Sequence, residues 1–168
     1  MKSYIQYSLC AMALVFSSQA SAQSLITGVD GKQIVGKWAC QARAPQSNGM
    51  LTIEGHADYS ANGQAEHSDE ITHRLPNGDE ISMQVNSTGR WRFEQSTQRL
   101  YEVQNTVNVA YDPKHPLANT IGAQYQRSYQ EGLNVEQSSF AVRLDTKEWI
   151  AVIGNSNETV VTVNCVRE

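Results

Sequence analysis

Met50-Leu51-Thr52-Ile53-Glu54-Gly55-His56-Ala57-Asp58-Tyr59, then Ser60-Ala61-Asn62-Gly63, then the run 65–74 decide the fold. The first run alternates, with Leu51, Ile53, Ala57 and Tyr59 on one face, which is the period of a half-buried strand. The four residues after it carry turn chemistry. A two-residue Asn-Gly loop would set Tyr59 opposite Glu66, whereas a three-residue loop with Gly63 left-handed sets Tyr59 opposite Ala65 and Ile53 opposite Ile71. The second keeps the apolar residues together, and a slip of one residue would turn the whole strand over. This register predicts His67, Asp69 and His73 on the inner face, with Ala57 and Gly55 opposite His67 and Asp69.

Working downstream, Leu75-Pro76-Asn77-Gly78 turns the chain into an alternating strand at 81–85. Ser87-Thr88-Gly89 reads as another three-residue turn, which sets Val85 opposite Trp91 and Met83 opposite Phe93. Ser96-Thr97-Gln98 leads into the longest strand. Its dry face carries Tyr101, Val103, Asn105, Val107, Val109 and Tyr111; its wet face carries Glu102, Gln104, Thr106 and Asn108. Consecutive hairpins of this kind make an up-and-down meander.

The pattern breaks at Asp112-Pro113-Lys114-His115-Pro116. Leu117, Ile121, Tyr125 and Tyr129 then fall four apart, Pro116 suits a first helical position and Gly132 suits an end, so a helix is predicted over about 117–130. A strand with Ala123, Tyr125, Arg127 and Tyr129 on one face is the alternative. Strands resume at 138–144, 149–153 and 159–166, and loop length leaves open which face of 149–153 points inward.

Upstream, Gly36-Lys37-Trp38-Ala39-Cys40 opens the first strand. Before it, Lys2, an apolar run through Leu14, Val15 and Phe16, and Ala20-Ser21-Ala22 read as a secretory signal peptide cleaved after Ala22. The run is too short to span a bilayer, and no second one follows. Removing 22 of the 168 residues leaves 146, the size of one domain. The division expected is signal peptide 1–22, flexible arm 23–33 and barrel domain 34–168. Of three cysteines, Cys10 leaves with the signal. Cys40 and Cys165 in an exported chain read as a disulfide, with two free buried thiols as the alternative. About nine short strands must hide two sheet edges, and a cysteine pair tying the first strand to the last argues for closure. The predicted fold is all-β, a closed up-and-down antiparallel barrel of about 8–9 strands with one short helix.

Gly36-Lys37-Trp38 ahead of a meander, with a second Gly89-Arg90-Trp91 after a turn, resembles the bacterial lipocalin-like families of calycin-type barrels. The resemblance implies that Trp38 closes one end of the barrel beneath a cation from a late strand, for which Arg167 and Arg143 are the candidates.

The net charge is −4 with no basic run, which argues against nucleic acid or an anionic membrane surface as partner. No Gly-x-Ser-x-Gly elbow and no phosphate-cradling glycine loop occurs. Asp69-Glu70 and Asp79-Glu80 are adjacent pairs whose side chains point to opposite faces of a strand, unsuited to paired carboxylate chemistry. His67 and Asp69 lack an evident third metal ligand. The expectation is therefore a periplasmic or secreted, soluble, non-enzymatic barrel, without cofactor or metal, that binds a small, partly apolar molecule. Tyr59, His67, Asp69, Met83, Trp91, Phe93, Tyr101 and Asn105 are the candidate ligand-binding residues, the aromatic ones serving equally as core packing. Trp38, Cys40 and Cys165 are the structural ones. The alternative is a periplasmic inhibitor or accessory protein whose partner is another periplasmic protein, met through 112–116 and the N-terminal arm.

Overall fold

The structure, a computed structural model, describes residues 30–46, 49–154 and 160–168. The expected signal segment, most of the arm and the turn at 155–157 lie outside these residues. Eight strands follow in order: β1 (Gly36–Gln46), β2 (Gly49–Tyr59), β3 (Gln64–Arg74), β4 (Glu80–Glu94), β5 (Arg99–Tyr111), β6 (Glu136–Leu144), β7 (Glu148–Gly154) and β8 (Val160–Arg167). One helix, α1 (Pro116–Glu131), joins β5 to β6, and a single 3-10 turn, Gly31–Gln33, precedes β1. Each strand pairs antiparallel with the next, and β8 returns to β1, so the barrel is closed.

The β2–β3 hairpin has the predicted register, with Tyr59 opposite Ala65, Ile53 opposite Ile71, Ala57 opposite His67 and Gly55 opposite Asp69. Gly63 adopts φ +84°, the left-handed conformation that the three-residue loop requires. Cys40 lies directly opposite Cys165 across the β1–β8 seam and is bonded to it, with an S–S distance of 2.04 Å. Such a bond forms and persists in oxidising compartments.

Two expectations are corrected in the middle of the sheet. Ser87-Thr88-Gly89 is not a turn: β4 runs unbroken through it, so there are eight strands and not nine. Val85 therefore faces Asp69 and Val109 on its flanking strands, and Met83 faces Ile71 and Tyr111. Gly89 marks a β-bulge, where Thr88 pairs with Thr106 but Gly89 pairs with Gln104, leaving Asn105 as the extra residue. A Cβ on Gly89 would lie only 3.0 Å from the Gln104 Cα, so the close approach needs glycine there. An extra residue reverses alternation. Beyond the bulge Val107, Val109 and Tyr111 point inward as expected, but before it Leu100, Glu102 and Gln104 do, and Tyr101 and Val103 turn outward.

The region 116–131 is a helix, not the alternative strand. Pro116 occupies its first turn, and His115 caps it by accepting the Ala118 N–H at Nδ1, 3.2 Å. Its packed face is Ala118, Ile121, Gly122, Tyr125 and Tyr129, while Leu117 is exposed. β6 pairs with β5 only over Arg99–Val103, and α1 packs on β5 and β4 beyond that stretch, serving as wall where no strand is available. No helix among the described residues is long and apolar enough to cross a membrane.

The interior is layered. An aromatic floor holds Ile34, Trp38, Tyr59, Leu100, Leu144 and Trp149, so the inward face of β7 is the one carrying Trp149 and Ala151. Trp38 is fully buried, and Arg167 lies over its ring at 4.2 Å. Of the two candidate cations Arg167 is the one used. Its guanidinium donates to the carbonyls of Thr146 and Val35, each at 2.8 Å, and of Gln33. Arg143 instead pairs with Asp145 and Glu148. At the opposite end Ala44, Leu51, Ile71, Met83, Val85 and Val109 pack with Ile121, Tyr125 and Tyr129 of α1.

Candidate functional site

Between the two apolar layers the wall turns polar. Three inward residues from three strands meet there: Tyr59 ends β2, His67 follows on β3, and Glu102 reaches across from β5. Glu102 Oε1 accepts from His67 Nε2 at 2.9 Å and from the Tyr59 hydroxyl at 3.1 Å. The Tyr59 ring stands edge-on to His67, Trp91 and Trp149, with centroids 5.6–5.7 Å apart, and so fixes this cluster to the floor. Beside it, Gln104 donates to Ser87 Oγ at 3.4 Å. Asp69 lies one inward position further along β3, over Gly55. Any side chain at 55 would strike the Asp69 carboxylate and come within 2.6 Å of the Ser68 carbonyl, so the glycine makes room for the acid.

These groups point inward, yet His67 and Glu102 keep 19% and 27% of their side-chain surface accessible. Asp69, Gln104, Val107, Ile53 and Val163 are likewise inward and only half-buried. Their residual accessible surface marks water-accessible space against the inner wall, hereafter the chamber.

Burial shapes the electrostatics. Desolvation alone would lower the His67 pKa, but the hydrogen bond and charge of Glu102, with the charge of Asp69, outweigh it and hold the imidazole above its usual value. Burial raises the Asp69 carboxyl, with Glu102 adding to the rise and His67 and His56 opposing it. Tyr59 is pushed far up by burial and then by Glu102, so it stays a donor. On α1, burial moves Tyr125 up to about 12 and raises Tyr129 further, with the Asp69 charge contributing to Tyr129.

No protein-family model matches the chain, and no curated protein does. A solved structure of a redesigned β-barrel, mFAP1, bound to DFHBI, is similar over 82% of this chain and 96% of that one, at 10% identity and a TM-score of 0.37.

Of the candidates read from the sequence, Tyr59, His67 and Asp69 come together at the chamber. Met83 is buried in the layer under α1. Trp91 and Phe93 pack against the floor, Trp91 donating to the Ser60 carbonyl at 3.0 Å. Tyr101 and Asn105 are corrected. Tyr101 lies outside the barrel with Arg92 3.8 Å from its ring centre, and Asn105, extruded by the bulge, donates to Asn134 at 3.1 Å. Glu102, Gln104 and Ser87 escaped sequence reading. Their signal was Gly89, since a lone glycine inside a strand pattern marks a bulge as readily as a turn. Among the described residues, no group of three His, Cys, Asp or Glu is placed to hold a metal ion. A groove of about 590 Å³ crosses the same stretch of wall, lined by the outward residues Lys37, His56, Asp58, Glu66 and Glu168 and also by His67, Ser87 and Val107.

The His67 environment predicts a pH effect. Because the folded imidazole binds its proton more tightly than an unfolded one, its contribution is full below about pH 6.5 and is lost as pH rises through the higher folded value. His67→Gln is expected to cost on the order of 1–2 kcal/mol at pH 6, less at pH 9. Urea unfolding of both proteins at the two pH values measures this; a gap that widens with pH contradicts the assignment.

Proposed function

We propose that this chain is an exported, non-catalytic barrel that binds a small, partly apolar molecule in the interior chamber. One observation carries the reading: an inward His67–Glu102 pair that stays accessible between two apolar layers, the arrangement by which a few convergent polar groups orient a ligand in an apolar site. Tyr59, His67, Glu102 and Asp69 take the polar head. Ile53, Val107 and the Tyr125 and Tyr129 rings of α1 take the apolar part. The disulfide and the signal-like N-terminal sequence support export.

Hydrolytic chemistry is the weaker reading. Ser87 stands directly opposite His67, but its hydroxyl is engaged by Gln104 and His67 Nε2 by Glu102, so no base is set against a nucleophile. Loop-mediated inhibition is the second reading. Asp112 accepts the Lys114 N–H and His115 caps α1, so the segment proposed for contact is a short, tied-down turn.

The test is binding of N-phenyl-1-naphthylamine, a neutral apolar fluorophore, to the protein and to Val107→Trp, which fills the chamber. Saturable binding weakened at least about tenfold in a folded variant is expected, equivalent to 1.4 kcal/mol or more. Equal binding by both proteins places the probe elsewhere and overturns the reading.

A further inference from the structure

The charges facing the chamber do not balance. Asp69 and Glu102 are both inward, and His67 supplies at most one positive charge against them, when protonated. Among the described residues, Arg167 is the one arginine or lysine that the strand register turns inward. It sits in the floor, committed to Trp38 and to three backbone carbonyls.

Hydrogen bonding is incomplete in the same sense. Both donors to Glu102 use Oε1, while Asp69 makes no side-chain hydrogen bond among the described residues. Two further inward groups also lack partners. Neither nitrogen of His73, 5% exposed on the same inward row of β3, has one, and nor does Trp149 Nε1, 4% exposed in the floor. Buried polar groups are ordinarily satisfied; His73 and Trp149 lie in the layers at opposite ends of the barrel, and the unmatched groups beside His67, which are Asp69 and the second Glu102 oxygen, point to a guest that meets them.

We propose that this guest carries a positively charged, hydrogen-bond-donating head of the alkylamine class, held by Asp69 with the free Glu102 oxygen beside it. The proposal rests on the chamber reading above and adds the sign of the ligand. An ammonium head neutralises the surplus carboxylate and donates up to three hydrogen bonds. A carboxylate head meets two like charges in a partly desolvated space, which disfavours it.

The probes are n-octylamine, n-octanol and n-octanoate, titrated calorimetrically at pH 7.5 into the full protein, Asp69→Asn and Glu102→Gln. Octylamine is expected to bind at least about tenfold more tightly than octanoate, and either variant to reduce that preference to about threefold or less while octanol binding holds. Equal or tighter binding of octanoate overturns the proposal. So does an amine preference that survives both substitutions, which would put the cation at another site. The neutral probe separates the two levels: octanol bound without amine preference removes this inference alone, whereas no binding of octanol removes the chamber reading and this with it.

Discussion

Trp38→Ala is expected to lower folding stability by about 3–5 kcal/mol, the range for deleting a large buried aromatic side chain. The indole is fully buried, and three kinds of contact converge on it. Its edge meets Trp149 at 6.0 Å between ring centres. Its Nε1–H donates to the Ile34 carbonyl at 2.7 Å, which ties the 3-10 turn beneath the barrel to β1. Its face carries the Arg167 guanidinium, worth about 1 kcal/mol of the total. Alanine leaves a void that the surrounding rings cannot close, because Tyr59 and Trp149 are held by their own edge-to-face contacts. Trp38→Phe separates the contributions. It keeps most of the apolar surface and loses the Ile34 hydrogen bond, so a cost of about 1–2 kcal/mol is expected. Chemical denaturation of the three proteins reads the result. A Trp38→Ala variant within about 1 kcal/mol of the parent would show that the floor repacks without its plug.

How much of this was legible in the residues follows from where alternation holds. The β2–β3 register could be read because Gly63 allows one loop length and the pattern of Leu51, Ile53, Ala57 and Tyr59 accepts one pairing. Closure could be read because Cys40 and Cys165 fall on the first and last strands. The candidate site was only half visible. Alternation counts in twos, and the bulge at Asn105 adds one, so Tyr101, Glu102, Val103 and Gln104, which precede it, were assigned to the wrong face. That single error hid Glu102, the acceptor on which His67 and Tyr59 converge, and promoted Tyr101 and Asn105 in its place. Helix α1 announced itself through Pro116 and the spacing of Ile121, Tyr125 and Tyr129. Its role as wall did not, since that depends on β6 pairing with β5 over so short a stretch. The inward face of β7 was set by tertiary packing, with Trp149 fitting against Trp38 and Tyr59, and no local signal encodes it.

Cys165→Ser is expected to destabilise the oxidised protein by a few kcal/mol. Chain entropy for a closed loop this long, with the cysteines 125 residues apart, sets an upper figure of about 4–5 kcal/mol, and residual structure in the denatured chain lowers it. The position of the bond decides where the loss is felt. β1 pairs with β2 from Gly36 to Gln46, but with β8 only from Trp38 to Ala42, and Cys40–Cys165 is the central pair of that short seam. Without it, β1 and β8 are held by few ladder bonds and by Arg167 below, so the barrel should open there first. Amide exchange should accordingly rise at β1 and β8 before β2 and β3. Cys165 is also 3% exposed and packs in the floor cluster, so a second cause of instability must be separated from the bond. Reduction does this. If bridging dominates, the stability gap between parent and variant should shrink under dithiothreitol to about 1 kcal/mol or less, the part owed to a hydroxyl in place of sulfur. A gap of equal size in oxidised and reduced samples would mean that the sulfur packs and the bridge contributes nothing, and the seam would then have to be closed by its ladder and by Arg167 alone.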